Sequence, residues 1–385
     1  MAREQIPITR TVLTWARERA GYTIEAAGEK WKNISAWERE PGEDELPLFP
    51  TYVQLEDMAE AFKVPVAVFF FPAPPDVPRP EETFRTLPEA KLSSLEPRIK
   101  LLLRKAKALQ INLAELNGGR NPARRLITRD IQFPVAVEAE EMAQAVRQYL
   151  GVTVEDQASW ASVEAALENW RATLVDAGVF VFKDQFRSPR FAGFCLTDEE
   201  FPIIYVNNTS AKSRQIFTLF HELGHLLFHT SGVDFRSQEV HADSPEDRRI
   251  EVLCNRFAGA ILVPEAAFLA QLAGREANHE TASQLAAHFK VSMLVIYRKF
   301  RDLRLISATD YAEAHQRAEE AERKGSSGGD FYNNQMAYLG RAYIGMALRA
   351  YKQQRISEEQ LADYLLIQPK NVRGIEERYL KGVAA

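Results

Sequence analysis

His221-Glu222-Leu223-Gly224-His225 is the stretch of this chain that decides most about its fold and chemistry. Two histidines four residues apart lie on one face of a helix, about one turn apart, so both imidazoles can reach the same ion. The glutamate between them can take a proton from water, and zinc lowers the pKa of such a water from about 15.7 toward about 7. The pattern therefore predicts half of a zinc hydrolase site.

The residues around the motif predict a short strand followed by a buried helix. Ile203-Ile204-Tyr205-Val206 has the β-branched residues of a strand, and Asn207-Asn208-Thr209-Ser210 supplies turn and N-cap residues. Apolar residues then recur at helical spacing, at Ile216, Leu219, Phe220, Leu223, Leu226 and Leu227. Buried polar groups without partners cost about 1 to 3 kcal/mol each, so a metal would account for the polar residues of this helix. The alternative is a helix that carries its histidines at the surface.

A complete zinc site needs a third protein ligand, and Glu251 is the best candidate. Ser244-Pro245-Glu246-Asp247 is a strong helix start. The helix that follows is predicted to end near Val263 and to carry one stripe of residues, Glu251, Asn255, Ala258 and Leu262. We expect Asn255 to hydrogen-bond a ligand histidine, and the small residues Ala258 and Gly259 to allow close packing of the two helices.

Two other histidines compete for the position of third ligand. His229 continues the four-residue spacing, but it lies about 12 Å along the helix from His221, too far for one ion to bridge easily. His241 falls in a polar stretch, where a loop ligand would be easy to position, and it stays open as an alternative. The three-histidine metzincin pattern requires a histidine at the position of Ser231, so that class is excluded.

The motif and its surroundings resemble the ImmA/IrrE family of metallopeptidases. The resemblance lies in five stretches, Arg214 to His229, Glu251 to Ala258, Ile261 to Pro264, Phe191 to Phe194 and Pro202 to Asn207. It implies that His221, His225 and Glu251 bind Zn²⁺ and that Glu222 is the general base. Cys254 stands where the family pattern has alanine, and we interpret it as a packing residue.

The resemblance also implies a substrate, because known members of the family cut a helix-turn-helix repressor. This chain is accordingly expected to be a zinc endopeptidase that cleaves such a repressor and so controls stress, mobile-element or toxin-antitoxin genes. An alternative from another class is a DNA-binding transcription regulator or antitoxin-like protein, in which the peptidase fold only senses or binds. The intact Glu222 disfavours that alternative, because a binding module does not need the base.

The N-terminal region, residues 10 to 63, resembles a helix-turn-helix domain of the XRE type. The stretch from Thr23 to Trp37 is shorter than that pattern requires, and an acidic insertion, Glu38 to Glu45, follows it. The missing part should carry the turn and the start of the recognition helix, and cations for phosphate are few nearby. We therefore interpret the module as degenerate and suited to protein contacts, for which a homodimer is one form, with DNA binding doubtful.

The complete pattern predicts an α+β fold that is predominantly helical, with a small three-stranded sheet packed on zincin-type active-site helices. The strands are predicted at Val179 to Phe182, Phe191 to Thr197 and Pro202 to Val206. The second strand is our candidate for an edge that binds an extended peptide by strand addition. Helical modules are expected at both ends of the chain.

The predicted domain organisation follows from the proline-rich and glycine-rich stretches and from the helical patterns. It has five parts: a degenerate helix-turn-helix module at 1–72, a proline-rich linker at 73–95, a peptidase domain at 96–310, a linker at 311–330 and a C-terminal helical module at 331–385. Within the peptidase domain, residues 281–307 have the spacing of a second helix-turn-helix-like pair. The alternative interpretation is that this helical pair is a buttress, which only packs against the peptidase domain and supports it.

Composition sets wider limits on function. The chain has 385 residues, a net charge of -5 and two cysteines, which argues against a mainly nucleic-acid-binding protein and against a disulfide framework. Its apolar runs are shorter than the roughly 20 residues that a membrane span needs, and the N-terminus lacks the pattern of a signal peptide. We expect a cytoplasmic protein with no membrane partner.

Overall fold

A computed structural model describes residues 5–42, 45–75, 96–188, 191–229, 233–235, 245–322 and 330–381. By their contacts the residues form two compact units, Met1–Lys105 and Ala106–Ala385. Several features predicted from the sequence lie outside the described residues, namely most of the proline-rich linker, Ser231, His241, Ser244 and residues 323–329.

The first unit is a small helical bundle. Its helices are α1 (Arg10–Arg19), α2 (Ile24–Lys30), α3 (Ile34–Glu38) and α4 (Tyr52–Phe62), followed by a 3₁₀ helix at Val66–Phe70. Trp31 packs edge-on against Phe62 in its core, with ring centroids 5.2 Å apart. Helix α3 has only five residues, in keeping with the short stretch between Thr23 and Trp37. A role of this unit in protein contacts, with DNA binding doubtful, stays a prediction.

The second unit is mostly helical around one small sheet, so the predicted α+β class is confirmed. Helix α5 (Pro97–Leu116) contributes residues to both units. The helices that follow it are α6 (Ile127–Asp130), α7 (Ala139–Leu150), α8 (Val154–Ser159), α9 (Val163–Asp176), α10 (Lys212–Leu227), α11 (Pro245–Leu262), α12 (Glu265–Leu272), α13 (His279–Phe289), α14 (Met293–Asp302), α15 (Ala308–Glu322), α16 (Phe331–Leu339), α17 (Arg341–Lys352), α18 (Glu358–Tyr364) and α19 (Val372–Lys381).

The sheet contains the three predicted strands and a short fourth one. Its strands are β1 (Phe180–Asp184), β2 (Phe191–Leu196), β3 (Ile203–Asn207) and β4 (Val233–Phe235), in the order β1-β3-β2-β4. Strands β1 and β3 are parallel, and the other pairs are antiparallel. The expectation that β2 is an edge strand is wrong, because β4 pairs with it from Phe191 to Phe194. Strand pairing joins residues distant in sequence, so the local pattern of β2 could not reveal this partner.

All residues of β1, β2 and β3 are buried, because helices cover the sheet. Trp170 of α9 lies between Trp160 and Phe220, at centroid distances of 5.0 and 4.8 Å. The buried Arg171 donates to the carbonyl oxygens of Val181 in β1 and Ala337 in α16. Arg171 therefore links the predicted C-terminal module at 331–385 to the sheet within the second unit.

The helical pair α13 and α14 packs into the same core as the motif helix. Leu285, Phe289, Ile296 and Phe300 are buried in the hydrophobic cluster that also contains Phe220. This packing favours the buttress interpretation of residues 281–307. Helix α15 extends to Glu322, into the stretch predicted as a linker, because its alanine and glutamate residues have high helix propensity.

None of the helices in the described ranges is by itself long and apolar enough to span a membrane. Helices α11 and α12 meet the length and composition criterion only as a pair, and they are bent by 50° at their junction.

Candidate metal centre

The motif histidines and glutamate lie in the interior of the second unit on α10. The helix follows β3 and a turn, where the buried Gln215 side chain donates to the carbonyl oxygen of Ser210 at 2.7 Å. His221, Glu222 and His225 are 1%, 0% and 8% exposed. The surface-helix alternative is therefore excluded, and three polar side chains of one helix are buried side by side.

The candidate ligands of α10 and α11 converge on one point. His221 Nε2 and His225 Nε2 are 3.1 Å apart. Glu251 Oε1 lies 3.4 Å from His221 Nε2, and Glu251 Oε2 lies 3.2 Å from His225 Nε2. Within the described part of the chain, these three residues form a cluster of metal-ligating groups, with ligand atoms within 4.8 Å of one another.

The chemistry of this donor set fits a divalent metal ion. Two imidazole nitrogens facing each other at 3.1 Å repel unless a proton or a cation lies between them. A carboxylate as third donor supplies the negative charge that a buried cation needs. Two histidines and a glutamate are also a ligand set of catalytic zinc, which leaves a coordination position open for reactants. The residues present therefore fit a metal ion, with zinc as the candidate.

Electrostatics hold Glu251 in its charged form. Burial alone would raise the pKa of its carboxyl, but the hydrogen bond from His225, the charge of the histidines and the Asn255 amide lower this pKa to about 2. Asn255 Nδ2 donates to Glu251 Oε1 at 3.2 Å and to the Glu251 carbonyl oxygen at 3.0 Å. The expectation that Asn255 hydrogen-bonds a ligand histidine is wrong, because its hydrogen-bond partner is Glu251. One turn of helix places the amide over the glutamate of its own helix.

Cys254 packs against the motif helix and touches the site. Its thiol is buried, which raises its pKa. Burial opposes a charged His225, yet the Cys254 sulfur and the Glu251 and Glu222 carboxylates raise the pKa of this imidazole well above its ordinary value. His225 is thus surrounded by a sulfur atom and two carboxylates, an environment that attracts positive charge.

Helices α10 and α11 approach each other closely at Gly224. A Cβ atom on this residue would lie 2.8 Å from Cys254 Sγ and 3.4 Å from Cys254 Cα. The sequence singled out Ala258 and Gly259 for this role, but a Cβ on Gly259 would meet no atom within 4 Å. Which small residue faces the partner helix depends on the point at which the two helices cross, and the periodicity of the sequence does not specify that point.

We expect Gly224→Ala to destabilise the protein by about 1 to 2 kcal/mol, because the strain of overpacking exceeds the gain in helix propensity. The matched variant Gly259→Ala should stabilise it by about 0.5 to 1 kcal/mol, since open space surrounds that position. Urea unfolding followed by circular dichroism measures both. Adding Cys254→Ala should recover part of the Gly224→Ala loss, and equal destabilisation by the two glycine variants would contradict the assignment of the contact.

Gly193 of β2 brings the sheet against Glu222. A Cβ atom at this position would lie 2.5 Å from Thr218 Cγ2, 3.0 Å from the Tyr205 carbonyl oxygen and 3.5 Å from Glu222 Oε1. The strand backbone can therefore lie beside the motif glutamate only because residue 193 has no side chain. Sequence reasoning did not identify this role, and the one signal for it is a glycine inside an otherwise apolar strand.

The competing ligand His229 lies outside the cluster. It follows the end of α10, is exposed and has a left-handed backbone conformation with φ 55°. It is not among the clustered metal-ligating groups of the described residues. His241 lies outside the described residues, so the structure does not test it.

This arrangement is typical of a zincin-type metallopeptidase domain. In such a domain one helix carries two histidines with a glutamate between them, the next helix adds a second glutamate, and both helices pack on a small sheet. Residues 175–301 match the peptidase family described as the IrrE N-terminal-like domain. Over 99 residues the chain is 35% identical to the radiation response metalloprotease IrrE of Deinococcus radiodurans. The aligned stretch is 25% of this chain and 29% of that protein, so the similarity spans less than a third of either.

Proposed function

We propose that this protein is a zinc-dependent endopeptidase that cleaves a partner protein in the cytoplasm. The observation that carries the proposal is the convergence of His221 Nε2, His225 Nε2 and the Glu251 carboxylate at 3.1 to 3.4 Å, beside the buried Glu222. A protein that only binds or senses has no need of a buried carboxylate between two candidate ligands. The similarity to a radiation response metalloprotease supports the same activity.

Each residue of the site then has a distinct role. His221, His225 and Glu251 would hold the ion, and Asn255 would keep the Glu251 carboxylate oriented through its amide. When bound, zinc supplies Lewis acidity, which polarises a carbonyl oxygen and lowers the pKa of water. Glu222 takes the proton from the attacking water and returns it to the leaving amine. The buried position of Glu222 excludes bulk water from this carboxylate.

We propose a helix-turn-helix transcriptional repressor as the substrate, which follows from the family resemblance and from the control of stress, mobile-element or toxin-antitoxin genes that it implies. The test is incubation of the zinc-loaded protein with a purified helix-turn-helix regulator encoded in the same genome, read by intact-mass spectrometry. We expect two fragments whose masses sum to the regulator plus one water. The same incubation after removal of metal by a chelator should leave the regulator intact, and cleavage that persists without metal would refute the proposal.

A further inference from the structure

The outer face of α11 and the segment before α7 enclose an open cleft that the proposed reaction does not use. Its volume is about 790 Å³, within the range of small-molecule sites. Three arginines of α11 line it, Arg248, Arg249 and Arg256, and Val252 and Leu253 lie between them. We call this feature the arginine cleft.

The charge of the arginine cleft is strongly one-sided. Arg248, Arg249 and Arg256 are exposed, and no ion pair or side-chain hydrogen bond of these three is found among the described residues. Among the described residues that line the cleft, Glu138 is the one acidic residue. This local excess of positive charge stands out on a chain whose net charge is -5. Such a cleft attracts anions and concentrates them at its surface.

The arginine cleft also adjoins the candidate metal centre. Arg248 precedes Glu251 by three residues, so the two are neighbours on the helix surface, about 4.5 Å apart along its axis. Val252 follows Glu251 directly and is 42% exposed. A chain segment bound in the cleft would therefore continue within one turn of helix toward the metal centre.

We propose that the arginine cleft binds an acidic segment of the protein substrate and so contributes to specificity; this inference rests on the proposed function. Guanidinium groups pair with carboxylates through two parallel hydrogen bonds, which suits aspartate and glutamate side chains. The apolar part of the lining, Val135, Val137, Val252 and Leu253, matches the apolar residues of a peptide. Three arginines are too few to follow the phosphates of a DNA duplex, and the apolar floor offers nothing to a duplex.

The test measures binding separately from cleavage. The full-length Glu222→Gln protein, loaded with zinc, is titrated into a fluorescein-labelled peptide of alternating glutamate and leucine, and anisotropy is recorded. Replacing Arg248, Arg249 and Arg256 with glutamate should weaken binding about tenfold or more, and added salt should weaken binding to the parent. The matched control replaces three exposed arginines outside the cleft, Arg124, Arg317 and Arg349, with glutamate, which changes the net charge equally. Its affinity should stay within about twofold of the parent.

Three results would overturn the proposal: equal losses in the two triple variants, equal affinity for a lysine-leucine peptide, or tighter arginine-dependent binding of random duplex DNA. If the cleft variant unfolds, the same positions changed to glutamine give a milder version of the test. The same measurements distinguish failure of the proposed peptidase function from failure of the proposed peptide binding. If the peptide binds but the wild type cleaves no protein, the peptidase activity is refuted and peptide binding by the arginine cleft stands. If the wild type cleaves its substrate but the peptide does not bind, only peptide binding by the arginine cleft is refuted.

Discussion

Glu222→Gln is expected to keep its metal and to lose cleavage of the partner protein by about 10²- to 10⁴-fold, the usual contribution of a general base. Glutamine has nearly the shape of glutamate, so the buried position beside Gly193 should accept it without rearrangement. Its amide cannot accept the proton of the attacking water. Metal content should be unchanged because the three candidate ligands, His221, His225 and Glu251, are intact.

Intact-mass spectrometry of the regulator measures its cleavage, and elemental analysis of the enzyme measures its metal content. Glu199→Gln is the control, because Glu199 is exposed and lies outside the metal centre. Its rate of cleavage should equal that of the wild type. Undiminished cleavage by Glu222→Gln would remove this residue from the mechanism, and a simultaneous loss of metal would show that it acts as a ligand.

Glu251→Ala is expected to lower zinc affinity by more than about 100-fold. Loss of an outer-shell hydrogen-bond partner already costs about 10- to 100-fold, and a direct ligand contributes more. The variant also removes the negative charge that faces His221 and His225 at 3.4 and 3.2 Å. The gain in thermal stability on adding zinc should shrink with the affinity, because ligand binding stabilises only the folded state.

Two further variants of α11 should lower zinc affinity less than Glu251→Ala does, or not at all. Asn255→Ala removes only the amide on the Glu251 carboxylate, so zinc affinity should fall by about 10- to 100-fold. Glu246→Ala removes an exposed carboxylate from the first turn of the same helix and should leave affinity unchanged. Competition with a chelator of known affinity measures all three. Wild-type affinity in Glu251→Ala would exclude Glu251 and direct attention to His241.

The local patterns of this chain predicted its elements well. The apolar spacing from Ile216 to Leu227 indicated the helix that the structure contains as α10, and the β-branched run at Ile203 indicated β3. The reason is that helices and strands have their own periods, which the sequence displays over a few residues. The pairing of His221 with His225 follows from the same period, because one turn separates them.

Contacts between elements were predicted less well, and the errors share one cause. Asn255 was assigned to a histidine but bonds Glu251, β2 was expected at an edge but pairs with β4, and Gly259 was expected at the helix contact that Gly224 makes. Each contact depends on how two elements are rotated and shifted against each other. Those quantities come from the packing of many side chains, and no short stretch of sequence encodes them.

The sequence by itself determined which groups could do chemistry here: two histidines one turn apart, a glutamate between them and a glutamate on the next helix. The spacing along a helix is a local geometric property, so it needs no tertiary structure. Only the tertiary structure decided that these groups meet at 3.1 to 3.4 Å, and that Gly193 and Gly224 are the points of close approach. Bringing α10, α11 and β2 together requires the burial of a common core, and this depends on the whole unit.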